Sequence, residues 1–121
     1  MKDDYYLISK EDLDARKAVS RGSIRIRDER LRQLEVEGWT PKHDDQWAGG
    51  QLAVAALAYL QHYVFGILDD KTPKWWPIGW NVFWFKPTTA IRNLEKAGAL
   101  IAAEIDRLLR LEDKNEVKEK T

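Results

Sequence analysis

The chain has 121 residues, and its 20 Lys and Arg balance 20 Asp and Glu to a formal net charge of zero at pH 7. That length supports one hydrophobic core, and the balance excludes a generic nucleic-acid coat or a polyanion mimic, which carry a large charge of one sign. The absence of cysteine removes disulfide frameworks, zinc ribbons and thiol nucleophiles, and points to a reducing cytoplasm.

Residues 1–8 are acidic at their start, lack an apolar signal region and read as a frayed tail. Ser9 followed by Asp12 has the form of a helix start. Gly22 is a suitable stop for that helix, whose few apolar residues (Leu13, Ala15, Ala18, Val19) predict packing by one narrow stripe. Ser23 can cap a second helix ending near Gly38, with Ile24, Leu31 and Leu34 on one face. From Arg16 to Arg32 there are seven basic residues against two acidic ones, so the zero net charge hides a local asymmetry. Pro41 interrupts the chain. Asp44 and Asp45 are candidate N-caps for a third helix, predicted to run through Gly49 and Gly50 and the apolar run Leu52–Leu60 to about Phe65. Its apolar perimeter predicts a central buried helix, and its alanines predict close helix neighbours. The longest apolar run is far short of the roughly 20 residues needed to span a membrane.

Residues 66–87 read as a long irregular loop rich in Pro, Gly and aromatics. A loop of that length needs a reason, and its rings supply one by packing it onto the helices. Thr88 or Thr89 opens the last long helix, predicted to end near Leu111. Ile91, Leu94, Gly98, Ile101, Ile105 and Leu108 form its predicted buried stripe, with Gly98 permitting a close crossing. Residues 112–121 read as a frayed, mixed-charge tail. The expected fold is all-α: a single domain over 1–121, a three- to four-helix bundle with a Trp-rich loop packed on it.

Four constellations are able to carry chemistry. Glu29, Glu35, Glu37, Asp44 and Asp45 bracket the second connector, and carboxylates on adjacent helices hold Mg²⁺ in some hydrolases. They also read as caps and surface charges. Arg21, Arg25 and Arg32 share a helical face that suits phosphates, or that pairs with Asp28 and Glu29 along the helix. Six tryptophans in so short a chain offer stacking surfaces, with Lys74 and Lys86 in reach of phosphate, or else a core lid. Trp75 and Trp76 are expected to stay partly exposed. Glu104 needs a cationic partner, for which Arg107, Arg30 and Arg27 are candidates. His43, beside the Asp pair, is a better functional candidate than His62, which reads as a packed residue.

Several segments resemble a family of small phage and prophage proteins. They are Glu29–Gln33, Glu37–Pro41, His43–Asp45, Leu52-Ala53, Ala55-Ala56, Tyr59, Trp76-Pro77, Lys86-Pro87, and Leu94–Leu100 with Ala103–Arg107. The family motifs are E-R-x-R-Q, E-G-W-T-P, H-D-D, G-E-L-A-x-A-A, W-W-K-P and K-A-G-A-L-I-x-A-E-I-x-R-L, and the likeness covers about residues 24–110. Where the family pattern has His and Glu, this chain has Trp47 and Gln51, which favours binding over catalysis. A remoter likeness is to all-helical MazG-type nucleotide pyrophosphohydrolases, which hold Mg²⁺ with E-x-x-E and E-x-x-D pairs. Here Arg32 and Gln33 follow Glu29 at three and four positions, and Trp47 and Ala48 follow Asp44.

The resulting expectation is a non-catalytic, phage-type accessory protein in the host cytoplasm, blunting a host defence and needing no cofactor. It would bind a phosphorylated nucleotide-like ligand or a host protein, with no membrane and no nucleic acid, and with self-association plausible. The candidate ligand-binding residues are Arg25, Arg32, Trp39, His43, Asp44, Asp45, Trp47, Gln51, Trp80, Trp84 and Lys86. Two alternatives stand beside it. One is a Mg²⁺-dependent pyrophosphohydrolase with Glu29, Glu37, Asp44 and Asp45 as ligands. The other is a protein-binding inhibitor acting through Trp75, Trp76 or the Arg16–Arg32 face.

Overall fold

The computed structural model describes residues 7–66 and 73–120, and the outer part of the predicted N-terminal tail and the start of the predicted loop lie outside them. The elements are α1 (Lys10–Glu35), α2 (Pro41–Asp45), α3 (Gln51–Phe65), a single 3-10 turn at Val82–Trp84, and α4 (Ala90–Lys120). Among the described residues there is no strand. The architecture is all-α, and α4 is the shared element, with α1, α2 and α3 each packed against it.

The two predicted N-terminal helices are one. Ser9 Oγ accepts from the Asp12 amide at 3.0 Å, as the cap motif requires, but α1 then runs through Gly22. That glycine has no positive φ, and a helix-interior glycine costs only about 1 kcal/mol, which its helix-forming neighbours absorb. Ser23 is no cap; its hydroxyl bonds back to the Val19 carbonyl. The cap of α2 is Thr40, not an Asp: its Oγ1 accepts from the His43 amide at 3.2 Å, with Pro41 in the first turn. Gly49 and Gly50 lie outside α3. Gly50 holds φ +84°, a left-handed conformation no helix contains. At the far end, residues 112–120 continue α4 as helix, since their charges alternate in sign and contain no Gly or Pro.

The core is built from small residues. Ala55, Ala56 and Ala58 of α3 meet Ala97, Leu100 and Ala103 of α4, with Leu52, Tyr59 and Phe85 filling the ends. Alanine faces let two backbones approach closely. This choice overturns the predicted orientation of α4. The predicted buried stripe is in fact its open side: Ile91, Leu94, Ile101, Ile105 and Leu108 are 38–58% exposed. Gly98 does lie at a close crossing, as a Cβ there would come within 2.6 Å of Ile26 on α1. The face Ile24, Leu31 and Leu34 of α1 is likewise open. Residues 10–24 of α1 are exposed throughout, so the narrow packing stripe predicted for them is not buried among the described residues.

Candidate functional site

A cleft of about 470 Å³ opens between the C-terminal half of α1, α2, the segment 80–86 and the first turns of α4. One wall is aromatic. Trp39 and His43 stack with planes 6° apart and centroids 5.6 Å apart. Ring contact continues from His43 to Trp47, then edge-on to Trp80 at 5.0 Å, and from Trp80 to Trp84 and Trp76. Tyr59 and Phe85 close the chain against the core. Five of the six tryptophans therefore share one neighbourhood. Trp75 stands outside it, half exposed beside Lys74. Trp76 donates its indole N–H to the Asn81 carbonyl at 3.2 Å.

The rest of the lining is largely charged, and its anchor is Glu29, only 2% exposed. Arg32 donates to both Glu29 oxygens at 2.9 Å, and Arg92 adds a third bond at 2.8 Å. Burial alone would raise the Glu29 pKa, but these two guanidinium groups hold it below its ordinary value. Arg32 also pairs with Glu37 at 3.1 Å, and its own pKa is raised, chiefly by the bond to Glu29. Arg92 reaches Glu95, which Arg25 also grips at 2.5 Å. The network ties α1 to α4 and fixes two of the arginines that line the cleft.

Two further cations line the cleft. Lys96 donates to the Lys86 carbonyl at 2.6 Å and sits over the Tyr59 ring at 5.6 Å. Its pKa is lowered, first by burial and then by the nearby Arg92 charge. Among the described residues neither Lys86 nor Lys96 has a carboxylate at ion-pair distance. The Tyr59 hydroxyl accepts from the Lys86 amide at 3.1 Å, and burial raises its pKa. The indole nitrogens of Trp47 and Trp80 are buried without a hydrogen-bond partner; edge-to-face packing against neighbouring rings is the environment they have.

Of the candidate ligand-binding residues, Arg32, Trp39, His43, Trp47, Trp80, Trp84 and Lys86 line this cleft. Arg25, Asp44, Asp45 and Gln51 do not. Arg25 is spent on Glu95. Asp44 is fully buried behind His43, accepting from Nδ1 at 2.9 Å, with Arg30 at 3.5 Å. The second carboxylate, Asp45, pairs with Arg110 at 2.7 Å, which lowers its pKa. Gln51 folds back to accept from the Gly49 amide at 2.7 Å. The candidate Mg²⁺ ligands do not converge: Glu29, Glu37, Asp44 and Asp45 are each held by an arginine, and no group of three or more acidic or His side chains at metal-binding distance occurs among the described residues. This donor set does not fit the ion, since a metal would have to displace guanidinium groups.

Glu104 pairs with Arg107 at 2.6 Å, the structural role expected for it. His62 is packed, with Nδ1 3.2 Å from the Asn93 amide nitrogen and its ring edge-on to Phe85. Tyr59 belongs to the family resemblance but has no role there in the site, and neither Arg92 nor Lys96 is singled out as a site residue. The available signal was the i,i+4 spacing of Arg92 and Lys96 just after the aromatic segment, which places both on one face of α4. No helix among the described residues is long and apolar enough to cross a membrane. No protein-family model matches the chain, and no curated protein or solved structure matches it either.

Proposed function

We propose that the cleft binds a small phosphorylated ligand carrying a planar ring, a nucleotide in the simplest case, and does no chemistry on it. The observation that carries this reading is that aromatic rings and cations line one cavity. The rings of Trp39, His43, Trp47, Trp80 and Trp84 and the cations Arg32, Arg92, Lys86 and Lys96 line the same cleft. The volume lies within the range of small-molecule sites. Rings stack on a base, while arginines already oriented by a buried carboxylate bind phosphate without first being ordered. Lys86 and Lys96 supply the charge left uncompensated. In this reading the Trp-rich segment clasps the bundle and forms one wall of the site, and the protein is a phage-type accessory that sequesters or senses a nucleotide-like molecule, as in evasion of a host defence.

The test is calorimetry and tryptophan fluorescence with mono-, di- and triphosphates of the common nucleosides. Binding should quench fluorescence and weaken about tenfold or more in Lys96→Ala. An absence of binding at millimolar concentration for the whole panel overturns the ligand reading. A protein-binding inhibitor is the second reading, favoured by the open apolar groups Trp75, Ile78 and Phe83, of which Ile78 is fully exposed. Capture of one defined host protein, lost on Phe83→Asp, would support it.

A further inference from the structure

The charges around the cleft do not cancel. Its lining holds four cations, Arg32, Lys86, Arg92 and Lys96, against two carboxylates, Glu29 and Glu37. The arginines and carboxylates run on as one chain of ion pairs: Arg32 takes Glu37 and shares Glu29 with Arg92, and Arg92 shares Glu95 with Arg25. With Arg25 and Glu95 included, three arginines meet three carboxylates, and the chain is neutral as a set. Asp44, beneath His43, is held by Arg30, which a half-exposed Asp106 outside the lining also approaches. The excess in the lining is therefore two positive charges, carried by Lys86 and Lys96.

Lys96 is the more telling of the two. Burial works against its charge, and so do the neighbouring charges of Arg92, Arg32 and Lys86; Glu29 alone favours it. Glu29 is already gripped by two guanidinium groups. An ammonium has three N–H donors. One goes to the Lys86 carbonyl, and the group lies over the Tyr59 ring. Among the described residues no acceptor takes the other two. Four like charges gathered beside one saturated carboxylate lack an anion, and an anion placed among them would relieve their repulsion.

The size of the excess distinguishes among phosphorylated ligands. A phosphate monoester carries about −1.5 to −2 at pH 7 and offers three acceptor oxygens, which matches two uncompensated lysines and their free donors. Each further phosphoryl group adds negative charge for which the lining holds no cation, in a cleft that already contains Glu29 and Glu37. The cavity of about 470 Å³ lies toward the lower end of the range for small-molecule sites, about 300–1,000 Å³. We propose, resting on the nucleotide reading above, that the ligand is a nucleoside monophosphate whose dianionic monoester sits among Lys96, Lys86, Arg32 and Arg92, and that the site discriminates against di- and triphosphates.

Calorimetry of the full chain tests this, in EDTA and again with Mg²⁺. For each common nucleoside the series is the free nucleoside, the 3′,5′-cyclic monophosphate, the 5′-monophosphate and the 5′-triphosphate. The 5′-monophosphate of at least one nucleoside should bind about tenfold tighter than its cyclic form, which carries one charge fewer, and tighter than its triphosphate. Inorganic phosphate should compete with it. Lys86→Gln, at an exposed position, and Lys96→Gln should each lower monophosphate affinity about tenfold more than free-nucleoside affinity, with helicity by circular dichroism as the check on folding. A triphosphate bound as tightly as the monophosphate, with or without Mg²⁺, overturns the proposal and leaves the nucleotide site standing. So does a monophosphate preference that survives both lysine substitutions. Absence of binding across the whole series removes the nucleotide reading and this proposal together.

Discussion

At the scale of single residues, Glu29 carries the most consequence. It is a buried carboxylate with two guanidinium partners, and it joins α1 to α4 at the cleft. Removing one member of such a network costs far more than its net worth, because the remaining charges lose their partner. Glu29→Gln should therefore destabilise the fold. The arginines keep over a third of their side-chain surface in contact with water, so the expected cost is about 2 kcal/mol rather than the full value for a dry pair. Chemical denaturation of the two proteins checks it. Lys96 gives a second residue-scale prediction. Its lowered pKa means that it loses its proton below the ordinary value of 10.5. Anion affinity in the cleft should then decline as pH rises above neutrality toward that value, and Lys96→Ala should flatten the decline.

At the scale of elements, two glycines test why the helices sit where they do. Gly98 lies under Ile26, and a Cβ there would meet the Ile26 side chain at 2.6 and 2.8 Å. Gly98→Val should cost about 1–3 kcal/mol through overpacking, read as a shift in the urea midpoint. Gly50 has open space around its Cα, but its φ of +84° penalises any side chain by about 1–2 kcal/mol. Gly50→Ala should show that smaller loss, with no change at the α1–α4 crossing. The starts of α1 and α4 were legible because Ser9 and Thr89 hold short side-chain caps to amides three residues on. The stop at Gly22 was misread because a glycine ends a helix only where the chain turns left-handed, as it does at Gly66 and not at Gly22. The face of α4 was misread for a different reason. Hydrophobic periodicity finds the bulkiest stripe, whereas close packing against α3 selected the alanines.

At the scale of the whole molecule, three carboxylates tie distant segments together: Glu29 and Glu95 across α1 and α4, and Asp45 from α2 to α4. All three have pKa values below their ordinary 4.5, 4.5 and 3.8, because the hydrogen bonds from their arginines outweigh the cost of burial. A depressed carboxylate pKa contributes stability that is present above the unfolded value and is lost as pH falls through the folded one. The melting temperature should hold from pH 7 to about 5 and drop steeply below about 4. In Glu29→Gln the drop should be shallower. A melting temperature insensitive to pH from 7 to 3 would show that these pairs add nothing.

The sequence by itself determined the local matters: all-helical structure, the cap at Ser9, an alanine-rich helix ending at Phe65, and the crossing at Gly98; the predicted centrality of that helix falls to α4, against which the other three pack. It also marked seven of the fifteen side chains that line the cleft, because stacking and phosphate binding need Trp, His, Arg and Lys wherever they fall. Tertiary structure decided which of them converge. Whether Asp44 and Asp45 face a ligand or an arginine depends on Arg30 and Arg110, which lie 14 and 65 residues away in the chain. Arg92 and Lys96 become cleft residues only because the alanine face of α4 turns toward α3. That choice rests on how closely two backbones approach, a property of pairs of helices that no single stretch of chain contains.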